Sequence, residues 1–215
     1  MKKKGNIEVP MGEKVVLLHT CCAPCSSAII EAMILNGITP VIYYCNPNIF
    51  PQEEYEIRKE ECTRYAQALG LEIVDADYDH ENWLEAMKGL EDEPERGGRC
   101  LKCFKLRLLR TAEYARKRGI KVITTTLASS RWKSLDQINE AGQWACDTLV
   151  GMSHGAVEVS RPGVNTIPPD DRQVVWWDQN WRKGGLQERR SQILKEYDFY
   201  NQLYCGCEFS MRKDD

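Results

Sequence analysis

No run in this 215-residue chain approaches the ~18 consecutive apolar residues of a membrane span. The basic start MKKKGNIEVP is not followed by the apolar core of a secretory signal. Both absences predict a soluble, cytoplasmic protein with no membrane partner. Net charge is small as well: 29 Lys and Arg against 32 Asp and Glu give −3, so no global field selects nucleic acid. Internal repeats, low-complexity tracts and interdomain linkers are missing. That leaves one α/β domain over residues 1–215, large enough to bury an ordinary core. Residues 151–173, GMSHGAVEVSRPGVNTIPPDDRQ, read as a polar loop inserted into it.

Short apolar runs alternate with helical segments. Val15–His19 predicts a buried strand, and the loop after it feeds a helix through Ala28–Leu35 that ends at Asn36-Gly37. Val41–Tyr44 predicts a second strand, broken by Asn46-Pro47-Asn48 and Pro51. Tyr55, Cys62, Tyr65, Ala66 and Leu69 recur at helical spacing up to Gly70. Leu71–Val74, Val122–Thr125 and Val174–Trp177 predict further strands. A long helix starts near Cys100, and a last one spans Gln187–Tyr197. This order predicts an α/β fold with a mainly parallel sheet and flanking helices.

In such a sheet ligands collect beyond the carboxyl ends of the strands. A phosphate-binding protein would place a glycine-rich loop after the first strand, but this chain has none there. It reads His19-Thr20-Cys21-Cys22-Ala23-Pro24-Cys25, which counts against an ATP-using tRNA-thiolating enzyme of similar fold.

What the chain has in quantity is cysteine, ten residues in all. A reducing cytosol makes a disulfide framework the wrong reading. Seven cysteines fall into three close-spaced groups: Cys21, Cys22 and Cys25; Cys100 and Cys103; Cys205 and Cys207. Each spacing lets thiolates converge on one ion or cluster. A zinc site takes four ligands, so seven exceed one such site and predict an iron–sulfur cluster plus something more. Zinc binding and thiol–disulfide chemistry remain the alternatives. Gly97-Gly98 reads as a flexible approach to the middle pair, with Arg99, Lys102 and Lys105 lowering thiolate pKa values. Cys62 and Cys146 read as core residues, and Cys45 as a packing residue at a strand end.

Charge is unevenly placed. Residues 75–95 carry nine acidic groups against Lys88, and residues 99–121 carry nine Lys and Arg against Glu113. The basic stretch reads first as a solvated helix face, with a phosphate-facing surface as the alternative. In that second reading Arg99, Lys102, Lys105, Arg107 and Arg110 track an RNA backbone and Trp132 stacks on a base. Asp77, Tyr78 and Asp79 follow the third predicted strand, where Tyr78 is the candidate proton donor. A packing tyrosine in a solvated acidic turn is the competing reading. His19 reads as a core histidine fixing its turn.

The stretches LLHTCCAPCSS, YCNPNIFPQEEYEIRK, DYDHENWLEAMKGLEDEPERGGRCLKCFKLRLLRTAEYA and FYNQLYCGCEFS closely resemble the epoxyqueuosine reductases of the QueH family. The match covers most of the chain in the same order. The run from Gly89 to Cys103 and the C-terminal YCGCEFS are its most specific parts. The resemblance implies the last step of queuosine synthesis, in which the epoxide of epoxyqueuosine in a tRNA anticodon loop is reduced to the alkene and water is released. It also implies an adenine nucleotide α-hydrolase-like, Rossmann-like fold. For cofactors it implies a 4Fe-4S cluster with an adjacent mononuclear iron, and no cobalamin; the expected division then gives Cys22, Cys100 and Cys103 to the cluster and puts Cys21, Cys25 and Cys207 near the second ion. Electrons would come from an external low-potential donor. The long polar loop and the segment WWDQNWRKGG depart from the family's pattern, the latter keeping Asp178 and Lys183. A zinc-stabilised RNA-binding protein without catalysis and a cytosolic dithiol oxidoreductase are the rival functions.

Overall fold

A computed structural model describes residues 7–155 and 173–211. Among them are five strands, β1 (Val15–His19), β2 (Thr39–Tyr44), β3 (Ile73–Asp75), β4 (Val122–Thr125) and β5 (Val175–Trp176). They form an all-parallel sheet in the order β3-β2-β1-β4-β5. Six helices flank it: α1 (Ala23–Leu35), α2 (Gln52–Ala68), α3 (His80–Met87), α4 (Gly98–Arg118), α5 (Leu135–Gly155) and α6 (Leu186–Glu196). The architecture is the Rossmann-like α/β fold expected from the sequence. No described helix is long and apolar enough to cross a membrane. The insertion expected at 151–173 falls largely outside the described residues.

Burial explains the strand pattern. β1 is central, with helices over both faces, so it reads as a continuous apolar run, and Val16, Leu17 and Leu18 are fully buried. α1 packs against α2 and α6, whereas α4 packs against α3 and α5. Two predicted boundaries shift. β3 begins at Ile73 rather than Leu71, because Leu71 still closes the α2 terminus through its N–H bond to the Ala66 carbonyl. α1 begins at Ala23 rather than Ala28. Its second residue is Pro24, whose fixed φ and missing N–H suit a first helical turn.

Candidate metal centre

The strand order reverses between β1 and β4, which leaves a crevice beyond their carboxyl ends. Thr20–Cys22 leave β1 there, and Thr126 leaves β4. The Cys21 N–H donates to Thr126 Oγ1 at 3.2 Å, joining the two ends. Because α1 starts so early, Cys25 lies in its first turn, close to Cys21 and Cys22. The sulfurs of Cys21, Cys22 and Cys25 all lie within 4.8 Å of one another. The expected division separates Cys22 from these two neighbours. Cys207 instead joins Cys103 in a small apolar cluster with Trp83 and Met87.

A cavity of about 830 Å³ opens at this edge. Cys21, Cys25, Cys100, Cys103, Cys205 and Cys207 line it. Cys22 is buried behind them, its sulfur 3.8 Å from that of Cys21. Cys45, Cys62 and Cys146 are buried elsewhere, and all ten cysteines are free thiols.

The electrostatics of the wall are unusual. Arg107 is buried and lines the cavity, donating through Nε to the Cys45 carbonyl at 3.1 Å and through Nη2 to Asn46 Oδ1 at 2.5 Å. Lys133 Nζ lies 2.8 Å from Cys205 Sγ. Among the described residues neither cation is paired with a carboxylate. Burial lowers the pKa of Lys133, but the Cys205 sulfur outweighs it, so the ammonium is held above its ordinary range. Burial raises the Cys205 thiol, and Lys133 more than reverses that, leaving it lowered. Cys21 is lowered by hydrogen bonds from Cys22 and Cys25. Burial raises Cys22, and the hydrogen bond with Cys21 raises Cys25 to about 12. An uncompensated charge in such a place costs several kcal/mol, roughly. Thiolates are the counter-charge on offer.

The C-terminal segment is clamped over this wall. Arg58 of α2 is buried, pairs with Glu54 at 2.6 Å, and donates to the carbonyls of Tyr204 and Cys205. Phe50 N–H donates to the Gly206 carbonyl, and Ile49 bridges Cys207. Gly206 has φ +101°, and a Cβ there would lie 2.9 Å from Ile49 Cγ1 and 3.0 Å from Arg58 Nη1. Gln202 Nε2 donates to Cys22 Sγ at 2.9 Å. At the other glycine pair the structure corrects the flexible reading. A Cβ on Gly97 would meet Glu93 Oε2 at 2.4 Å and the Pro94 carbonyl at 2.9 Å, so Gly97 permits a close approach.

Several other expectations change. Arg99 is buried and donates to the carbonyls of Leu90 and Glu91, so it neither tracks an exposed backbone nor lowers Cys100, whose pKa is raised by burial. Arg107 is likewise buried, on the cavity wall rather than the outer face of α4. Lys105 pairs with Glu140 at 2.7 Å, and Arg110 contacts Asp79 and the Ala76 carbonyl. Lys102 is exposed. Tyr78, Asp77 and Asp79 do not line the cavity. The Tyr78 hydroxyl donates to the Ile49 carbonyl at 2.7 Å, and its ring packs between Tyr55 and His80. His19 is a core residue, held by Thr125 Oγ1 at 2.7 Å and the Cys45 carbonyl at 3.0 Å, and burial lowers its pKa to about 3. Trp132 lines the cavity and is 78% exposed. Lys133, Gln202 and Arg58 escaped sequence reasoning. Only the neighbourhood of Lys133 to Trp132, and of Gln202 to Cys205, hinted at two of them.

The donor set suits a soft metal or an iron–sulfur group, since every clustered ligand is a thiol. Four polar atoms of lining residues, Asn48 Oδ1, Trp83 Nε1, Arg99 Nε and Gln202 Oε1, are buried without a partner. The residues present therefore fit a bound metal group with space left for a polar substrate.

The sequence model of a family described as "Epoxyqueuosine reductase QueH" matches residues 16–164 and 156–213. Proteins named epoxyqueuosine reductase QueH align over nearly the whole chain. That of Histophilus somni is 47% identical over 209 residues, covering 97% of this chain and 77% of its own length. That of Acinetobacter baylyi is 42% identical, covering 98% and 87%. That of Thermotoga maritima is 32% identical, covering 91% and 90%.

Proposed function

The chain belongs to the epoxyqueuosine reductase QueH family, and from that premise we propose that it removes the epoxide oxygen of epoxyqueuosine in tRNA to give queuosine. The supporting observation is the cavity at the strand ends, walled by clustered thiols and by two cations that lack carboxylate partners among the described residues. Both carbon–oxygen bonds of the epoxide break and a carbon–carbon double bond forms. Two electrons and two protons enter, and the oxygen leaves as water. The enzyme is thus an oxidoreductase.

In this reading Cys21, Cys22, Cys25, Cys100, Cys103, Cys205 and Cys207 hold a 4Fe-4S cluster and an adjacent mononuclear iron, without cobalamin. When bound, that group supplies single electrons and a Lewis acid for the leaving oxygen. An external low-potential donor replenishes it. The protein's own residues do the rest. Arg107 and Lys133 balance the thiolate charge, and Lys133 Nζ holds a proton at the cavity wall. Arg58 and Gln202 fix the segment carrying Cys205 and Cys207. Of the five basic candidates on α4, Lys102 remains the exposed cation suited to tRNA phosphates. Ten free thiols suit a cytoplasmic, reducing compartment.

The test is direct. Anaerobically reconstituted protein is incubated with dithionite and epoxyqueuosine-containing tRNA, the RNA is digested, and its nucleosides are identified by mass. Conversion to queuosine without added cobalamin or ATP is expected. Persistence of the epoxide beside a reducible iron–sulfur group would overturn the reaction. Zinc as the sole stoichiometric metal, without acid-labile sulfide, would favour a zinc-stabilised RNA-binding protein.

A further inference from the structure

The two most exposed large apolar side chains among the described residues are Leu203, at 88%, and Trp132, at 78%. Both line the thiol-walled cavity. They stand one and two residues from the Lys133–Cys205 contact of 2.8 Å, which ties their two segments together. An exposed tryptophan on a slack loop would mean little. This one rides on a backbone in which three successive carbonyls are each taken by an arginine. Arg96 donates through Nη2 to the Arg131 carbonyl at 2.9 Å and through Nε to the Trp132 carbonyl at 3.0 Å. Arg182 Nη2 donates to the Lys133 carbonyl at 2.7 Å. Arg96 itself has a left-handed backbone (φ +67°), and its N–H donates to Cys100 Sγ at 3.3 Å. The indole platform is therefore fixed relative to the thiol wall, while its face stays open to solvent.

We propose that Trp132, with Leu203 beside it, is a base-stacking platform that holds an unpaired nucleobase adjoining the nucleotide in the cavity. The inference rests on the reading of the substrate as tRNA and adds how the loop is gripped. Stacking on a pre-positioned aromatic ring is sequence-tolerant and needs an unstacked base, as an anticodon loop supplies. The rim has the complementary charge for the flanking phosphates. Arg96, Arg131, Lys133 and Arg190 line the same cavity, where Glu95 is the only carboxylate among the described lining residues, in a chain whose net charge is −3.

The probe is an anticodon stem–loop RNA, titrated against the metal-loaded protein while tryptophan emission is followed. Trp83, Trp176, Trp177 and Trp181 are buried and Trp144, 38% exposed, lies outside the cavity lining, so the part of the quench that Trp132→Ala removes reports on Trp132. Trp132→Ala should weaken stem–loop binding roughly tenfold and abolish most of the quench. Trp132→Phe should lose the quench and keep most of the affinity, and Leu203→Ala should cost about threefold. Metal content and the visible spectrum should be unchanged in all three. A fully paired duplex of equal charge should bind wild type and Trp132→Ala alike. Wild-type affinity in Trp132→Ala, or an equal loss for stem–loop and duplex, would overturn the platform. A protein that binds and quenches as expected but leaves the epoxide intact would overturn the proposed reaction and spare the platform.

Discussion

Cys62 on α2 and Cys103 on α4 are buried to a similar degree, 3% and 7% exposed, yet they belong to different chemistry. Cys62 sits in the main apolar core between helix and sheet, where burial first, and then the charges of Cys21 and Cys25, raise its pKa. Cys103 lines a cavity with five other cysteines, Arg107 and Lys133. Cys22, at 1% exposed, is more buried than either, but its sulfur touches that of Cys21. Burial therefore does not tell a ligand from a packing residue. The neighbours do: other sulfurs and cations with no carboxylate partner among the described residues in one region, apolar side chains in the other.

The largest expected effect tests this comparison at its centre. Cys100→Ser or Cys103→Ser should abolish both metal retention and turnover. Cys62→Ser or Cys146→Ser should keep both and lower stability by about 1–3 kcal/mol, the cost of burying a hydroxyl among apolar groups. Iron and sulfide assays beside urea unfolding separate the outcomes. Equal metal loss in all four variants would erase the distinction between the regions.

A smaller effect sharpens it. If thiolates are the counter-charge of Arg107, its worth depends on whether the site is loaded. Arg107→Met should destabilise the metal-loaded protein by roughly 3 kcal/mol, since it strands negative charge and frees Asn46 Oδ1. The metal-free protein should lose much less. The same loss in both forms would make Arg107 a plain structural brace between the Cys45 carbonyl and Asn46.

The two regions also differ in how far they could be read from sequence. Strand β1 and helix α2 were legible because apolar spacing reports burial directly, and the three cysteine groups were legible because close spacing suggests shared ligation. Their partition was not. Whether Cys22 faces Cys21 or Cys103 depends on where α1 starts, and Pro24 moves that start five residues earlier than the apolar pattern suggests. The basic stretch misled for a related reason. Arg99 and Arg107 lie on the inward face of α4, whose carbonyl partners at Leu90, Glu91 and Cys45 come from other segments that local sequence does not link to it. Lys133 is paired with a residue 72 positions away, a relation that no local pattern encodes.

His19 gives a pH-dependent contrast to the cavity. Its ring donates from Nε2 to the Cys45 carbonyl, which fixes the tautomer and leaves Nδ1 to accept from Thr125 Oγ1. The folded pKa is about 3 against 6.5 unfolded. A depressed folded pKa gives stability that is full above 6.5 and is lost as pH falls towards 3. Between pH 7 and 5 the metal-free wild type should therefore lose about 2 kcal/mol more than His19→Asn, read by urea unfolding at each pH. Parallel losses would show that His19 is protonated in the fold.

Tyr78→Phe should give the smallest effect, and it sets the outer limit of the cavity region. A proton donor in the reaction would have to reach the epoxide oxygen, and its loss would lower turnover by about 10²-fold or more. Tyr78 instead directs its hydroxyl at the Ile49 carbonyl, on the segment that bridges Cys207, and its ring packs between Tyr55 and His80. Removing that hydroxyl leaves the packing intact and deletes one hydrogen bond, a cost of about 1 kcal/mol. Turnover should stay within about twofold of wild type, and the urea midpoint should shift slightly. A hundredfold fall in turnover with an unchanged midpoint would return Tyr78 to the reacting atoms, and the boundary between the catalytic wall and the scaffold behind it would have to move outward to β3.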